Sequence, residues 1–446
     1  MKEFGKTICK IAIPVTLQSM LQSSFSIVDQ LMIGQLGENS IAAVGLVGNF
    51  MLIFSVVMGA IGTVAGILVS QFLGAGDEKE AWGGFTVSNV LGFIIAGIFT
   101  LTCLLGSGAI LGLYTSDAAT IEAGAPYFRI VAFTFIPMAI NTILATWLRC
   151  NEHAMIPLLA GVVAVISNTG LNYIMIFGHL GIDAMGVRGA GYATLAAQVL
   201  NLAFTLTGFA VCLKKDHMKM QLSLKMQKVS LKDYLIMIAP IIVSEFLWSL
   251  GQNVNSAVYG RIGTDSLAAY TLTAPIQGLF CGALSGLSAA AGIIIGKELG
   301  KKDYDQAYGD SKKLLKLGLV GALLLSVILI LLSPVYASLY NVAQEVRDVT
   351  RLLLIVFAAY APVKVLNMIL GGGIIKSGGD TKTVMLIDTF GTWGVGIPLC
   401  LFAAYVLHLS IVPVYAILSV EEVVRLGISM VVFARKSWMK SLDTEG

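Results

Sequence analysis

Long apolar stretches follow one another along this chain, each bounded by clusters of Gly, Asp, Asn and Lys. A helix needs about 20 apolar residues to cross a hydrocarbon core. By that measure the pattern predicts twelve helices, near 11–34, 41–73, 84–113, 124–148, 154–178, 189–213, 231–260, 267–297, 313–339, 346–374, 383–407 and 411–434. The basic residues check the count, because short cytoplasmic loops collect Lys and Arg. With loops assigned to alternate sides, 22 of the 29 basic residues fall at the N-terminus, in the even-numbered loops or at the C-terminus. Lys214, Lys215, Lys219, Lys225, Lys228 and Lys232 crowd the central loop of that side. The opposite side has only Arg129, Arg188, Arg261, Arg347 and Arg351, while Lys364 and Arg425 fall inside helices. Both termini are therefore expected in the cytoplasm, with the chain a multi-pass protein of the inner or plasma membrane. Lys2, Lys6 and Lys10 precede an apolar stretch as in a signal peptide, but the stretch runs past Ile33 without a small-residue cleavage site, which predicts a retained first helix.

The chain repeats itself. Shifted by 226 residues, the first two predicted helices align without a gap on the seventh and eighth, with 18 of the 68 positions from 14 to 81 identical. Pro14 falls on Pro240, Gly34 on Gly260, Gly37 on Gly263, Leu73 and Gly74 on Leu299 and Gly300, and Asp77 on Asp303. The domain organisation expected is an N-terminal lobe over 1–213, a basic cytoplasmic linker over 214–230 and a C-terminal lobe over 231–446. Six spans per half is an even number, so the halves share one orientation. Their pseudo-two-fold axis then runs along the membrane normal, the parallel-repeat plan of many secondary transporters.

Composition sharpens this picture mainly by exclusion. Of 446 residues, 57% are apolar and 12% charged, with a mean hydropathy of +0.84, against about 25% charged in a soluble domain. A soluble enzyme is excluded, and no length remains for a separate ATPase module. A net charge of +3, distributed as above, gives no argument for nucleic acid. Cys9, Cys103, Cys150, Cys212, Cys281 and Cys400 are scattered and read as free thiols. The four histidines form no zinc signature.

Polar groups inside the predicted helices are the candidate chemistry, since a charge at mid-bilayer costs at least about 2.5–3.5 kcal/mol. Counted from the nearest cytoplasmic basic residue, Asp29 lies 19 residues beyond Lys10, Asn168 19 beyond Arg149, and Thr194 20 before Lys214. At 1.5 Å per residue all three share a depth roughly 28–30 Å from the cytoplasmic face. Asn172 follows Asn168 by one turn and faces the same way. The group reads as a small oxygen-rich site for a proton or sodium ion. In the second half, Glu245, Lys364 and Asp388 share a depth near the midplane, where Lys364 and Asp388 are expected to neutralise one another and Glu245 either joins them or binds substrate. The repeat partner of Glu245 is Ser19 and that of Asp29 is Asn255, so the halves place their carboxylates differently. The polar rows Gln18, Gln22, Ser26, Asp29 and Glu245, Ser249, Gln252, Ser256 follow helical spacing and are expected to line a watery cavity. Glu421, Glu422 and Arg425 are expected to form a local i, i+4 pair.

Other chemistries fail on spacing. Gly292 to Glu298 and Gly371 to Ser377 both miss the phosphate-binding loop pattern, and no Gly-x-Ser-x-Gly elbow occurs. With no nucleotide site, pumping would have to draw on an ion gradient.

Several segments together resemble the multidrug and toxic compound extrusion (MATE) transporters. Val28 to Gly37 followed by Ala42, Ala43 and Val44 is similar to that family's first-helix motif. Leu148 and Arg149, with the equivalent Ile375 to Thr381, are similar to its loops after the fourth and tenth helices. Asn168 to Gly178, then Met185 to Ala190, Ala193 and Thr194, is the most specific segment. The resemblance implies an all-α integral membrane fold, V-shaped, with two lobes of six helices and alternating access. It also implies export of amphipathic, often cationic, organic compounds against a sodium or proton gradient.

Carried over by residue, Asp29, Asn168, Asn172, Thr194 and the backbone carbonyl of Ala190 match a cation site in the first lobe of some members. Asn172 stands where those members have a second aspartate, which weakens the case for sodium. Glu245 matches a seventh-helix acid of other members; the tenth-helix acid found beside it there is absent, and Lys364 lies nearby. Pro14 is similar to a first-helix proline proposed as a hinge.

The expectation is thus a monomeric antiporter rather than an enzyme, working in the lipid bilayer on small organic cations or drugs. It needs no cofactor beyond its coupling ion, H+ or Na+, and no other metal. Two rivals are a lipid-linked precursor flippase of the same superfamily, disfavoured by the excess of interior acids over Lys364 and Arg425, and an integral-membrane transferase, which lacks its catalytic cluster.

Overall fold

The computed structural model describes residues 2–224, 226–340 and 342–443; the side chains of residues 2, 3, 23–31 and 38 lie outside the description. All regular structure among the described residues is helical. The helices are α1 (Lys2–Ile33), α2 (Glu38–Ala75), α3 (Glu78–Tyr114), α4 (Ala118–Ala132), α5 (Phe135–Cys150), α6 (Met155–Phe177) and α7 (Val187–Lys215), then α8 (Leu231–Ile262), α9 (Thr264–Gly300), α10 (Tyr304–Ser338), α11 (Gln344–Asn367), α12 (Thr381–Thr389), α13 (Ile397–Leu401), α14 (Ile411–Leu418) and α15 (Val420–Arg435). Nine spans among the described residues are long and apolar enough to cross a membrane, and the bent pair α4–α5 makes a tenth. With α1 and the pair α14–α15 the fold has twelve spans, six in each lobe.

Proline and hydroxyl side chains explain where spans break. The fourth span, expected as one helix, bends by 43° between α4 and α5. Pro137 has no N–H for the carbonyl of Phe133, and the amides of Phe133 and Thr134 turn back to Ile130 and Val131 at 3.2 and 2.8 Å, three residues behind them. The Thr134 hydroxyl also donates to Val131 O at 2.6 Å. The eleventh span alternates α12 and α13 with π-helical turns over Phe390–Gly396 and Phe402–Val406, and Pro398 withholds the amide that Gly394 O would accept from. The tenth span ends in a π-helical stretch, Met368–Ile375. The twelfth divides at Ser419, whose hydroxyl donates to Tyr415 O at 2.8 Å.

The chain forms two compact units. The first takes residues 1–69 and 78–227. Its core is aromatic: Phe54 packs on Phe135 with ring centres 4.4 Å apart, and Trp82 on Trp147 at 4.0 Å.

The second takes 70–77 and 228–446, so the tip of α2 departs from the lobe that a cut at 213 assigns to it. In this unit the α2 tip crosses the end of α9 at glycine. A Cβ on Gly74 would run into the backbone of Lys297, and a Cβ on Gly300 into the backbone of Gln71. These four positions are two repeat-related pairs under the 226-residue shift, so the crossing is self-complementary in the manner of a two-fold contact.

Gln71 also fastens the chain's end: its Nε2 donates to Ser377 O at 2.6 Å and Lys440 O at 3.2 Å, and its Oε1 accepts from Leu442 N at 2.7 Å. Nearby, Lys228 bridges Asp77 and Asp443 at 3.0 and 2.9 Å. The two carboxylates hold the Lys228 ammonium well above its ordinary pKa, so the lysine of the bridge stays charged at every pH below that ordinary value.

Gly300→Ala is expected to lower stability by about 1–3 kcal/mol, the usual cost of overpacking. Gly309→Ala, which meets nothing within 4 Å, should be neutral or raise it by up to about 1 kcal/mol through helix propensity. Thermal unfolding of the two purified variants in one detergent checks the opposite signs.

Candidate ion and substrate sites

In the first unit the polar residues of α6 and α7 form one directed chain of hydrogen bonds. Asn172 Nδ2 donates to Asn168 Oδ1 at 2.9 Å, Asn168 Nδ2 to Thr194 Oγ1 at 3.3 Å, and Thr194 Oγ1 to Ala190 O at 2.9 Å. The register that brings them together is set at the α6–α7 turn. Gly178, at φ 78°, caps α6 in the left-handed conformation that glycine adopts freely. The chain then doubles back, with Met185 N donating to Met175 O at 2.9 Å and Gly186 N to Ile176 O at 3.3 Å, which starts α7 beside the last turns of α6. Asn168 and Asn172 are buried. Amide and hydroxyl oxygens are hard ligands suited to a small cation, but these four residues contribute no charge. Any carboxylate has to come from another helix, and α1, which carries Asp29, packs along α6.

The start of α1 borders a cavity of about 840 Å³ that Pro14 lines together with Lys6, Lys10, Glu152, His153 and Asp216. Lys10 pairs with Glu152 at 3.1 Å, and His153 meets Asp216 at 2.7 Å. Deeper along α1, Gln18 Oε1 accepts from the guanidinium of Arg149 at 2.7 Å. Gln22 is exposed, and the side chains of Ser26 and Asp29 lie outside the described residues.

The second unit holds a cavity of about 570 Å³ bounded by α8, α9, α11, α12, α15 and the π-helical stretch after α11. Its polar wall is a charge cluster centred on Arg425. The guanidinium bonds Asp388 and lies 3.5 Å from Glu422. Asp388 accepts from Ser244 at 3.2 Å, and Asn367 Nδ2 donates to the Glu422 carboxylate at 2.8 Å and its carbonyl at 2.9 Å. The π-helical turn Phe390–Gly396 makes the room: a Cβ on Gly391 would collide with the Arg425 stem, and one on Gly396 with the Glu421 carboxylate. Such turns insert a residue and rotate the rest of the helix, and they recur at functional sites.

Glu245, Lys364 and Asp388, grouped by depth, do line this cavity together. Two of the pairings expected there are corrected. Asp388 pairs with Arg425 and not with Lys364, whose ammonium makes no ion pair among the described residues and lies 5.9 Å from the Phe357 ring centre. Arg425 reaches Glu422 at i−3 and a different helix, in place of a local i, i+4 bond to Glu421. The reason is the bare backbone at Gly391, which admits the arginine stem. Along α8 the cavity takes Ser244, Glu245, Trp248, Gln252 and Asn255. Ser249 and Ser256 from the expected row fall outside it; Ser249 is exposed, and its carbonyl accepts from Asn253 at 2.8 Å. Helical spacing identifies a polar stripe but not which edge of it faces the cavity. Asn255, Asn367 and Glu421 as site residues were missed; the repeat that places Asn255 on Asp29 was the available signal.

Twelve spans in two repeated halves, with buried polar side chains in both, define a polytopic membrane protein. Comparison with known proteins gives the family. The MatE description matches residues 14–174 and 240–402, and the chain belongs to the MATE family of multidrug and toxic compound extrusion transporters. It is 24% identical over 420 residues to an uncharacterized transporter of Bacillus subtilis, YisQ, covering 94% of this chain and 91% of that one. It is 20% identical over 444 residues to a probable multidrug resistance protein NorM of Thermotoga maritima, covering 98% and 94%. Its fold is shared with a crystal structure of a MATE protein in complex with MaL6, at a TM-score of 0.86 and 20% identity over 97% of this chain and 96% of that one. The bent form of the Vibrio cholerae MATE transporter VcmN overlays with a TM-score of 0.87 at 18% identity, covering 99% and 98%.

Arg425→Met strands two carboxylates in a low-dielectric wall and should cost about 3–5 kcal/mol, the range for breaking a buried pair. The double change Arg425→Met with Asp388→Leu should recover part of that loss. Thermal unfolding of the single and double variants measures the recovery.

Proposed function

We propose that this MATE transporter is an antiporter that exports amphipathic, cationic organic compounds in exchange for Na+ or H+ taken up at Asp29. The observation that carries the reading is the Asn172–Asn168–Thr194–Ala190 chain, a preorganised set of oxygens on the helix against which α1 packs. Such a set supports a cation whose charge is met by one carboxylate, and α1 supplies only Asp29 and Glu3.

With the ion bound, Asp29 no longer presents a negative charge to a cationic substrate, and substrate leaves. With the ion released to the side of lower concentration, the carboxylate again favours a cation. Ion and drug thus compete for one charge, and alternating exposure turns that competition into exchange. A membrane potential adds about 2.3 kcal/mol per inward charge per 100 mV. The positive-inside distribution of Lys and Arg supports cytoplasmic termini in the cell membrane, and the acids of the second-unit cavity support a cationic cargo. The transporter acts as a monomer.

In proteoliposomes loaded with a fluorescent organic cation, Asp29→Asn should lose the gradient-driven component of efflux and keep only passive leak. Efflux at the full wild-type rate in this variant would exclude Asp29 as the coupling group.

A further inference from the structure

We propose that the cavity at the start of α1 binds the headgroup of an anionic phospholipid, with Lys6 and Lys215 holding its phosphate and exposed apolar side chains deeper on α1 and α6 flanking its acyl chains. The inference rests on the cytoplasmic placement of the N-terminus and is independent of ion coupling. The cavity, of about 840 Å³, belongs to the first unit. Its walls are the first turns of α1, the turn between α5 and α6, the start of α6 and the end of α7.

Charge makes it a site for an anion. Three lysines and His153 line the cavity together with two acids. Both acids are already engaged, Glu152 by Lys10 and Asp216 by His153. Lys6 and Lys215 are exposed and make no ion pair among the described residues. The cavity therefore keeps a positive charge whether or not His153 carries a proton. A phosphodiester, with its single negative charge, answers it.

The order of side chains along the helices separates a lipid from a free anion. Lys6, Lys10, Ile13 and Leu17 follow at spacings of four, three and four, so they share one face of α1. From the cytoplasmic end inward, that face passes from two bases to two exposed apolar side chains. On α6 the charged Glu152 precedes the helix, and Met155 and Leu159, both exposed, follow on one face. On α7, Val211 is exposed one turn deeper than Lys215. A small soluble anion would use only the charged mouth. Charge at the mouth and apolar surface beneath it, on three helices, is the order of a phospholipid, and basic pockets between membrane helices on the cytoplasmic side take anionic headgroups. Pro14 lines the cavity too, so the lipid would sit against the turn where α1 lacks the amide that the Lys10 carbonyl would accept from.

The test is lipid titration of the full-length, detergent-solubilised protein, read by native mass spectrometry. The probes are phosphatidylglycerol, phosphatidylcholine with the same acyl chains, and inorganic phosphate. Phosphatidylglycerol should bind at least tenfold more tightly than phosphatidylcholine, and millimolar phosphate should displace it no more than chloride at equal ionic strength. Lys6→Gln with Lys215→Gln should weaken phosphatidylglycerol binding at least tenfold, whereas Lys301→Gln with Lys382→Gln, exposed lysines outside the cavity, should leave it unchanged. Met155→Glu places an acid in the apolar wall and should also weaken binding; it decides the matter if the Lys6 and Lys215 variant does not fold. Equal binding of the two lipids, displacement by phosphate, equal losses from the two lysine pairs, or unchanged binding in a folded cavity variant overturns the proposal. None of these readouts involves efflux, so failure here and failure of the antiport reading are distinguishable.

Discussion

A guanidinium inside an apolar bundle has to be answered by anions, and in the second unit that requirement organises everything around it. Arg425 draws Asp388 from the eleventh span and Glu422 from its own helix. Asp388 in turn takes Ser244 from α8, and Glu422 takes Asn367 from the end of α11. Four helices are thereby tied to one cation. The backbone yields to it as well: Gly391 leaves the arginine stem its path, and the π-helical turn Phe390–Gly396 opens the wall where Gly396 faces Glu421. Removing one member of such a set strands the rest in a medium where unpaired charge is costly, which is why the cluster behaves as a unit.

The first unit uses the other solution available to polar groups in a membrane. Its α6–α7 site is neutral, made of two amides, a hydroxyl and a carbonyl in one donor-to-acceptor sequence. Such a chain is satisfied without a counter-ion and offers oxygens without fixing a charge. One internal repeat has thus been built out twice, once as an uncharged ligand set and once as a paired-charge wall. The asymmetry is local, because the repeat persists intact where α2 and α9 cross through Gly74 and Gly300.

Much of the architecture was legible in the sequence because it rests on one-dimensional quantities. Span length, the sidedness of Lys and Arg, and the 226-residue repeat need no knowledge of which way a side chain points. Depth is also one-dimensional, and counting from basic markers grouped Asn168 with Thr194, and Glu245 with Lys364 and Asp388. Azimuth was not legible. The π-helical turn Phe390–Gly396 follows Asp388 directly, and its bare backbone at Gly391 admits the Arg425 stem, so Asp388 meets Arg425 rather than Lys364. The same blindness set Ser249 in the cavity row where Trp248 stands. The bend at Thr134 was foreshadowed by Pro137, although proline alone does not state whether a helix kinks or breaks. The i, i+4 spacing of Glu421 and Arg425 suits a local pair on an exposed helix equally well, and only the empty space at Gly391 and Gly396 decides otherwise.

On the antiport reading proposed above, a cation gradient, and no other energy source, drives export. Its most direct measurement is efflux of a fluorescent organic cation from proteoliposomes of the wild-type protein, with sodium and proton gradients imposed separately and each then collapsed by a selective ionophore. Uphill efflux should appear under one of the two gradients and stop when that gradient is dissipated. Uphill efflux that persists with both gradients collapsed would contradict that reading.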